Sequence, residues 1–296
     1  MGNKPKTINR SGVDFIMSRI IGQGKFMEMV KTAKSFPSFC ILEGPKGQGK
    51  KTMANWIAET LGYRIVTIGT KIDDVRQMIA DVQNLSSPII YFIPDADTMS
   101  VGARNSLLKV TEEPPKNLYI IMSLIHSDNT LNTIKSRGRV FALDNYSYEE
   151  LEEYVKMNYQ IDPYFYDQLL EVASNPGEID ELMKVGFSEF IAYVDKVYAN
   201  ILAVSTGNSF KIADKLSFKK DDEGYSVELF LKVFQKISCD EIRPVDPNAT
   251  ELDKDEILRT VNIMRATNEA LRELSIRGVN KKAVFDMWVL NVRRYR

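Results

Sequence analysis

The spacing of hydrophobic residues along the chain changes near residue 144. Before that point, short apolar runs alternate with segments in which apolar residues recur every three or four positions. Short apolar runs are typical of buried strands, and the wider spacing is typical of amphipathic helices. The predicted strands are 39–42, 64–68, 89–93 and 118–122, and the predicted helices lie at about 25–34, 51–61, 71–84 and 100–113. This alternation predicts an α/β domain with a parallel sheet covered on both faces.

Helical spacing dominates the rest of the chain. A helical pattern begins at Tyr148, is interrupted at Asn175-Pro176-Gly177, and resumes over 178–185. The remainder is helical with predicted loops at 206–208 and 243–248. We therefore predict three domains: an α/β domain over 1–144, a small helical domain over 145–188, and a larger all-α domain over 189–296.

Composition excludes several classes of protein. The 296 residues include 44% hydrophobic residues, and 39 Lys and Arg against 40 Asp and Glu give a net charge of −1. A wholly disordered chain is excluded, because this apolar content can offset the entropy of ordering. The neutral balance also argues against nucleic-acid binding by bulk charge, although a local basic surface stays open.

Cysteine content and hydropathy indicate where such a chain would reside. Cys40 and Cys239 can form neither a disulfide framework nor a zinc site, so we expect two free thiols and no zinc. The polar first residues lack a secretory signal, and the longest apolar runs, such as 88–94, are too short to span a membrane. We expect a cytoplasmic protein without a membrane partner.

A glycine-rich segment carries the first chemical signal. The residues Gly44-Pro45-Lys46-Gly47-Gln48-Gly49-Lys50 stand between a predicted strand and a predicted helix. In that context the glycines let backbone N–H groups surround phosphate oxygens, the helix N-terminus adds positive potential, and Lys50 reaches the outer phosphates. The candidate nucleotide-binding residues here are Gly44, Pro45, Gly47, Gly49, Lys50, Lys51 and Thr52.

The metal-binding part of such a site departs from the expected pattern. A P-loop places Ser or Thr directly after its lysine to bind Mg²⁺, but here Lys51 follows and Thr52 comes one position late. After the strand 89–93 comes Pro94, with Asp95 and Asp97 beyond it. Either Thr52 and Asp97 bind Mg²⁺ with a shifted geometry, or the metal site is impaired and the two aspartates cap the helix that begins near residue 100.

Three motifs give the chain a family resemblance. The segment 95–115, DADTMSVGARNSLLKVTEEPP, resembles the signature of AAA+ clamp-loader subunits, and TIKSRG at 133–138 resembles the motif that holds their arginine finger. IIGQ at 20–23 resembles their segment near adenine, and the match runs in order from about 19 to 185. The resemblance implies an AAA+ domain, a helical lid and a helical collar. It also implies ATP as ligand and a five-membered ring of clamp-loader subunits that places a sliding clamp on primer–template DNA.

The resemblance also implies roles for single residues. Lys50 matches the phosphate-binding lysine, Ile21 lies in the adenine segment, and Arg137 matches the finger that a subunit inserts into its neighbour's site. Asp95 stands at the position of the water-orienting glutamate, and Pro94 replaces the Mg²⁺-binding aspartate. A lid residue that is usually basic is Glu178 here.

These departures favour a subunit that does not hydrolyse ATP. Losing several parts of a hydrolytic site together should be grossly harmful, whereas Arg137 acts on a neighbour and is retained. The combination resembles the delta-prime class of clamp-loader subunits, either bacterial or phage-encoded, with ATP held without hydrolysis and Mg²⁺ uncertain. The alternatives are a working motor subunit, and a small-molecule kinase that would leave the Arg137 motif without a role.

Overall fold

The computed structural model describes residues 20–162, 165–203, 215–218, 224–240, 251–276 and 278–295. The predicted loops at 206–208 and 243–248 and the Cys239 side chain lie outside the described residues. The chain divides into two compact units. The first holds the described residues up to Tyr166 together with Ser174–Gly177, and the second holds Asp167–Ala173 and the described residues from Glu178 onward.

A five-stranded parallel sheet forms the centre of the first unit. Its strands are β1 (Phe39–Glu43), β2 (Arg64–Thr67), β3 (Ile89–Ile93), β4 (Leu118–Leu124) and β5 (Arg139–Ala142). They are arranged in the order β2-β3-β4-β1-β5, and all four pairings are parallel. The predicted parallel sheet is confirmed, and four of its strands lie where the hydrophobic pattern placed them.

The strand β5 is absent from the sequence prediction. It lies at the edge of the sheet and pairs on one side, with β1. Of its four residues Phe141 is buried, whereas Arg139 and Ala142 are exposed. The Arg139 guanidinium lies over the Phe141 ring, 5.2 Å from its centroid. The apolar run Val140-Phe141-Ala142-Leu143 was a signal for this strand that the sequence prediction missed.

Helices cover both faces of this sheet. They are α1 (Gly24–Thr32), α2 (Lys50–Leu61), α3 (Ile72–Asp81), α4 (Val101–Glu112) and α5 (Asn132–Lys135), and α6 (Tyr148–Asn158) follows β5 in the chain. Successive strand residues point to opposite faces, so Ile41 packs in the cluster beneath α3 and α4, and Leu42 packs with α1 and α2. Cys40 is fully buried on the second face, which raises the pKa of its thiol.

Two further helices follow, α7 (Tyr166–Val172) and α8 (Pro176–Val185). The sequence predicted that helix to resume at 178, and this was wrong by two residues. The first position of a helix requires no N–H donor, and proline is already set to the helical φ angle, so Pro176 begins α8.

The second unit is helical with one small addition. Its longer helices are α9 (Phe187–Ala203), α10 (Val227–Asp240), α11 (Glu251–Leu274) and α12 (Lys281–Arg294). A pair of two-residue parallel strands, β6 (Leu216–Ser217) and β7 (Tyr225–Ser226), accompanies them and was not predicted. Phe234 packs edge-on against Trp288, whose indole N–H donates to Thr267 Oγ1 at 2.9 Å. Among the described helices, none has both the length and the hydrophobicity to cross a bilayer.

Candidate nucleotide site and arginine finger

The candidate site lies where β1, β3 and β4 end. Because the strands are parallel, their carboxyl ends share one edge of the sheet, with Glu43 beside Leu124 and Ile93 beside Met122. The segment 44–49 connects β1 to α2, and Gly49 precedes α2 with a left-handed φ of 85°. The strand–loop–helix context predicted for the glycine-rich segment is therefore present.

Lys50 is turned toward its own loop. Its Nζ donates to the Gly44 carbonyl at 2.5 Å and to the Pro45 carbonyl at 2.7 Å. Burial lowers the pKa of Lys50, and the negative charges of Asp95 and Asp97 oppose that shift. The Lys50 amino group therefore lies near both aspartates that follow β3. To bind a phosphate, it would have to exchange the Gly44 and Pro45 carbonyls for phosphate oxygens.

The centre of the loop is in direct backbone contact with the start of α8. The Gly177 amide donates to the Gly47 carbonyl at 3.1 Å. A Cβ on Gly47 would lie 2.2 Å from Asn175 Oδ1 and 3.0 Å from the Gly177 Cα, so only glycine fits. Sequence reasoning missed this contact. Its one local signal is a glycine at the second position of a helix, where alanine is preferred on propensity alone.

A buried glutamine pair joins the predicted adenine segment to the loop. Gln23 and Gln48 are both almost fully buried, and each donates its side-chain amide to the Asp144 carbonyl, at 2.7 and 2.5 Å. The Asp144 amide donates back to Gln23 Oε1 at 2.8 Å. The half-buried Ile21 lies two residues before Gln23. The structure therefore brings Gln23 of segment 20–23 and Gln48 of the glycine-rich loop to one backbone carbonyl.

The two aspartates after β3 form hydrogen bonds with residues at the end of β4. The Asp95 amide donates to Ser123 Oγ at 3.1 Å, and Asp95 has a left-handed φ of 47°. Asp97 Oδ2 accepts the Ile125 amide at 2.9 Å. The suggestion that these aspartates cap the following helix is wrong, because the α4 cap is Ser100, whose Oγ accepts the Ala103 amide at 3.2 Å. Asp97 instead ties the end of β3 to the end of β4.

The two positions that usually bind Mg²⁺ in a P-loop lack oxygen ligands here. Magnesium in nucleotide sites needs oxygen ligands from the protein beside the phosphates. Neither Lys51 nor Pro94 has a side-chain oxygen, and Thr52 is exposed on α2, about 100° around the helix axis from Lys51. In the described residues, no group of three His, Cys, Asp or Glu side chains could hold a metal ion.

His126 extends the polar edge without forming a metal site. Its Nδ1 lies 3.6 Å from Glu43 Oε1, and the imidazole is largely exposed. Glu43 directly precedes Gly44, so a carboxylate stands at the beginning of the candidate phosphate loop.

Arg137 lies between α5 and β5 and is held by two groups. Its Nη1 donates to the Thr133 carbonyl at 2.5 Å, and its Nη2 forms an ion pair with Glu112 Oε1. Its side chain is 28% exposed. Within the described part of the chain, these polar partners belong to α4 and α5 and not to the glycine-rich loop. The geometry separates Arg137 from its own chain's candidate nucleotide site.

Comparison with known proteins gives the relationship. Residues 66–147, from β2 to just before α6, match the family described as DNA polymerase III, delta subunit. The DNA polymerase III subunit delta' of Bacillus subtilis is 30% identical over 122 residues, covering 41% of this chain and 36% of that protein. Subunit gamma of Buchnera aphidicola from Schizaphis graminum is 24% identical over 172 residues, covering 47% of each chain. The chain is related to the gamma and delta-prime subunits of DNA polymerase III. This confirms the clamp-loader relationship that its motifs indicated.

The extent of these similarities is partial. The chain spans less than half the length of these two curated relatives. The structure of a gamma-subunit-related protein of Thermotoga maritima has a TM-score of 0.51 and 16% identity, covering 92% of this chain and 99% of that one. That likeness supports the fold alone, a parallel sheet flanked by helices with a helical C-terminal region.

The basic residues near the C-terminus are partly paired within the second unit. Lys281 pairs with Glu228 at 2.6 Å, Lys282 pairs with Asp286 at 2.5 Å, and Arg293 Nε donates to a backbone carbonyl at 3.1 Å. From residue 270 onward the sequence has seven Lys and Arg against Glu273 and Asp286, which indicates either a solvated helix face or a contact surface for DNA or a partner subunit. These contacts favour the first interpretation for the three residues.

Proposed function

We propose that this chain is a subunit of a DNA polymerase sliding-clamp loader that hydrolyses no ATP itself and supplies Arg137 to a neighbouring subunit's nucleotide site. The observation that carries the proposal is that the same domain lacks the usual metal ligands but has the candidate finger arginine. Lys51 and Pro94 stand where a metal site needs oxygen ligands, whereas Arg137 is kept and held. The relationship to gamma and delta-prime subunits supplies the context.

Arg137 suits a role on a phosphoryl group. A guanidinium is planar, permanently charged and forked, so it can donate two parallel hydrogen bonds to phosphate oxygens. It stabilises negative charge that develops during phosphoryl transfer, and such fingers contribute roughly 10³–10⁵ in rate in other NTPases. The partners of Arg137 in α4 and α5 leave this residue outside its own loop, which agrees with action on a second subunit.

The chain's own loop could still hold a nucleotide. Backbone amides of segment 46–50 and the Lys50 side chain would contact the phosphates once Lys50 releases the Gly44 and Pro45 carbonyls, and Ile21 would lie toward the base. No metal-dependent step follows from the residues present. The proposed partners are other clamp-loader subunits in a five-membered ring, the sliding clamp and primer–template DNA.

A motor subunit is the second candidate. It would require Thr52, Asp95 and Asp97 to rebuild a metal site. One observation opposes it, because the Asp97 carboxylate accepts the Ile125 amide and so already has a structural partner. A small-molecule kinase remains weaker still, since segment 133–138 and the match over 66–147 would have no role in it.

Steady-state ATP turnover distinguishes the candidates. We expect the purified chain to show no turnover above a Lys50→Ala control, with Mg²⁺ and primed DNA present. In the complex isolated through a tag on this chain, Arg137→Ala should lower turnover by about 10³-fold at the site that it completes. Lys50→Ala should barely change clamp loading. Turnover by the isolated chain that Lys50→Ala abolishes would establish the motor subunit instead.

A further inference from the structure

We propose that Glu112 is the positioning residue for Arg137, holding the guanidinium in one place for the neighbouring site. This inference rests on the proposed function of Arg137. Glu112 is the last residue of α4, and its Oε1 pairs with Arg137 Nη2. The Thr133 carbonyl in α5 accepts from Nη1 at 2.5 Å. A carboxylate and a carbonyl from two helices therefore hold both terminal nitrogens.

The two supports are themselves fixed by the core. Leu107 and Val110 of α4 and Ile134 of α5 are buried in one hydrophobic cluster on the same face of the sheet. Thr111, next to Glu112, is also buried and donates its hydroxyl to the Leu107 carbonyl at 2.9 Å. The carboxylate and the carbonyl are therefore presented from packed helices and not from a free loop.

The contacts with Glu112 and Thr133 leave part of the Arg137 guanidinium free to donate hydrogen bonds. A guanidinium has five N–H donors, and the described contacts use one on each terminal nitrogen. Three donors therefore stay available for a phosphate. An arginine side chain loses considerable rotamer freedom when it is fixed, and a finger that is already held loses less on reaching its target.

The neighbouring glutamate provides a matched control. Glu113 is also exposed and carries the same charge, but it has no ion pair in the part of the chain that the structure describes. Glu112→Gln removes one charge and keeps the side-chain shape, and Glu113→Gln makes the same change one residue away. A general effect of net charge would appear equally in both variants.

The first measurement tests the pair in the isolated chain. Phenylglyoxal modifies accessible guanidinium groups, and mass spectrometry follows the modification of Arg137 relative to the exposed Arg76. We expect Glu112→Gln to raise the Arg137 rate several-fold and Glu113→Gln to leave it unchanged. Equal rates in all three proteins would overturn the pairing. This result does not depend on the ring or on the proposed function.

The second measurement tests the role in the complex isolated through a tag on this chain. We expect Glu112→Gln to lower kcat for ATP about three- to tenfold without changing KM, and Glu112→Asp to recover part of the loss. Unchanged or raised kcat would overturn the positioning role, and a rise would mean that the carboxylate masks the finger. If Arg137→Ala leaves turnover unchanged, the proposed function fails, and the positioning role fails with it, whereas the modification result stands separately.

Discussion

Gly177→Ala tests the contact between the glycine-rich loop and the start of α8. A Cβ at Gly177 would lie 2.3 Å from the Gly47 Cα and 3.1 Å from the Gly47 carbonyl oxygen. Both atoms are backbone, so no side-chain rotation can relieve the collision. One methyl group therefore probes whether the two segments touch.

The cost follows from the size of the collision. Ordinary carbon–carbon contact begins near 3.5 Å, so the two segments would have to separate by about 1 Å. Overpacking of this kind costs about 1–3 kcal/mol, and backbone atoms place this site near the upper value. Alanine recovers nearly 1 kcal/mol through its helix propensity. We therefore expect a net loss of about 2 kcal/mol, which lowers the Tm of a unit of this size by about 4–8 °C.

Differential scanning calorimetry of the full chain measures this loss against a matched variant. Gly24 begins α1 in the same unit, and a Cβ there would meet no atom within 4 Å. Gly24→Ala should leave the Tm unchanged or raise it slightly. If Gly177→Ala behaves like Gly24→Ala, the loop does not rest on α8 and the argument from close approach is refuted.

Two further substitutions test other parts of the structure. Ser123→Ala removes the acceptor of the Asp95 amide and should cost about 1 kcal/mol in urea unfolding, whereas Ser106→Ala, on the surface of α4, should be nearly neutral. Burial raises the pKa of Glu228, but hydrogen bonds, chiefly from Lys281, outweigh it and leave that pKa below its ordinary 4.5. Glu228 therefore stabilises the fold above that pH and loses this effect as pH falls through its folded pKa. The Tm deficit of Glu228→Gln should shrink between pH 7 and pH 3, and a constant deficit would contradict the pairing.

The hydrophobic pattern predicted four of the five strands of the central sheet. The strands β3 and β4 lie inside the sheet and appear in the sequence as unbroken apolar runs. The edge strand β2 has no fully buried residue, but its run of β-branched residues over 65–68 was enough to predict it. The strand β5 at the other edge has four residues of which one is buried, and the pair β6–β7 has only two residues in each strand, so these short elements were missed.

Short motifs likewise gave the candidate site residues but not the contacts that hold those residues in place. The loop 44–50 and the finger Arg137 were both identified from motifs of a few residues. The contacts that determine their surroundings join residues far apart in sequence, Gly47 with Gly177 and Glu112 with Arg137. Such contacts depend on tertiary packing, which no short motif encodes.

The positions of the two functional segments explain how a ring subunit could lose one activity and keep the other. The loop 44–50 depends on the end of β1, on Gln48 and on Gly177. Arg137 depends on α4 and α5, which pack through the other face of the sheet. Replacing a metal ligand at Lys51 on α2 therefore leaves the supports of Arg137 untouched, whereas Pro94 lies between Ile93 and the Ala96 that packs with α4. In the proposed ring, the neighbour's site depends on Arg137 and its supports, so the residue after Lys50 is free to change.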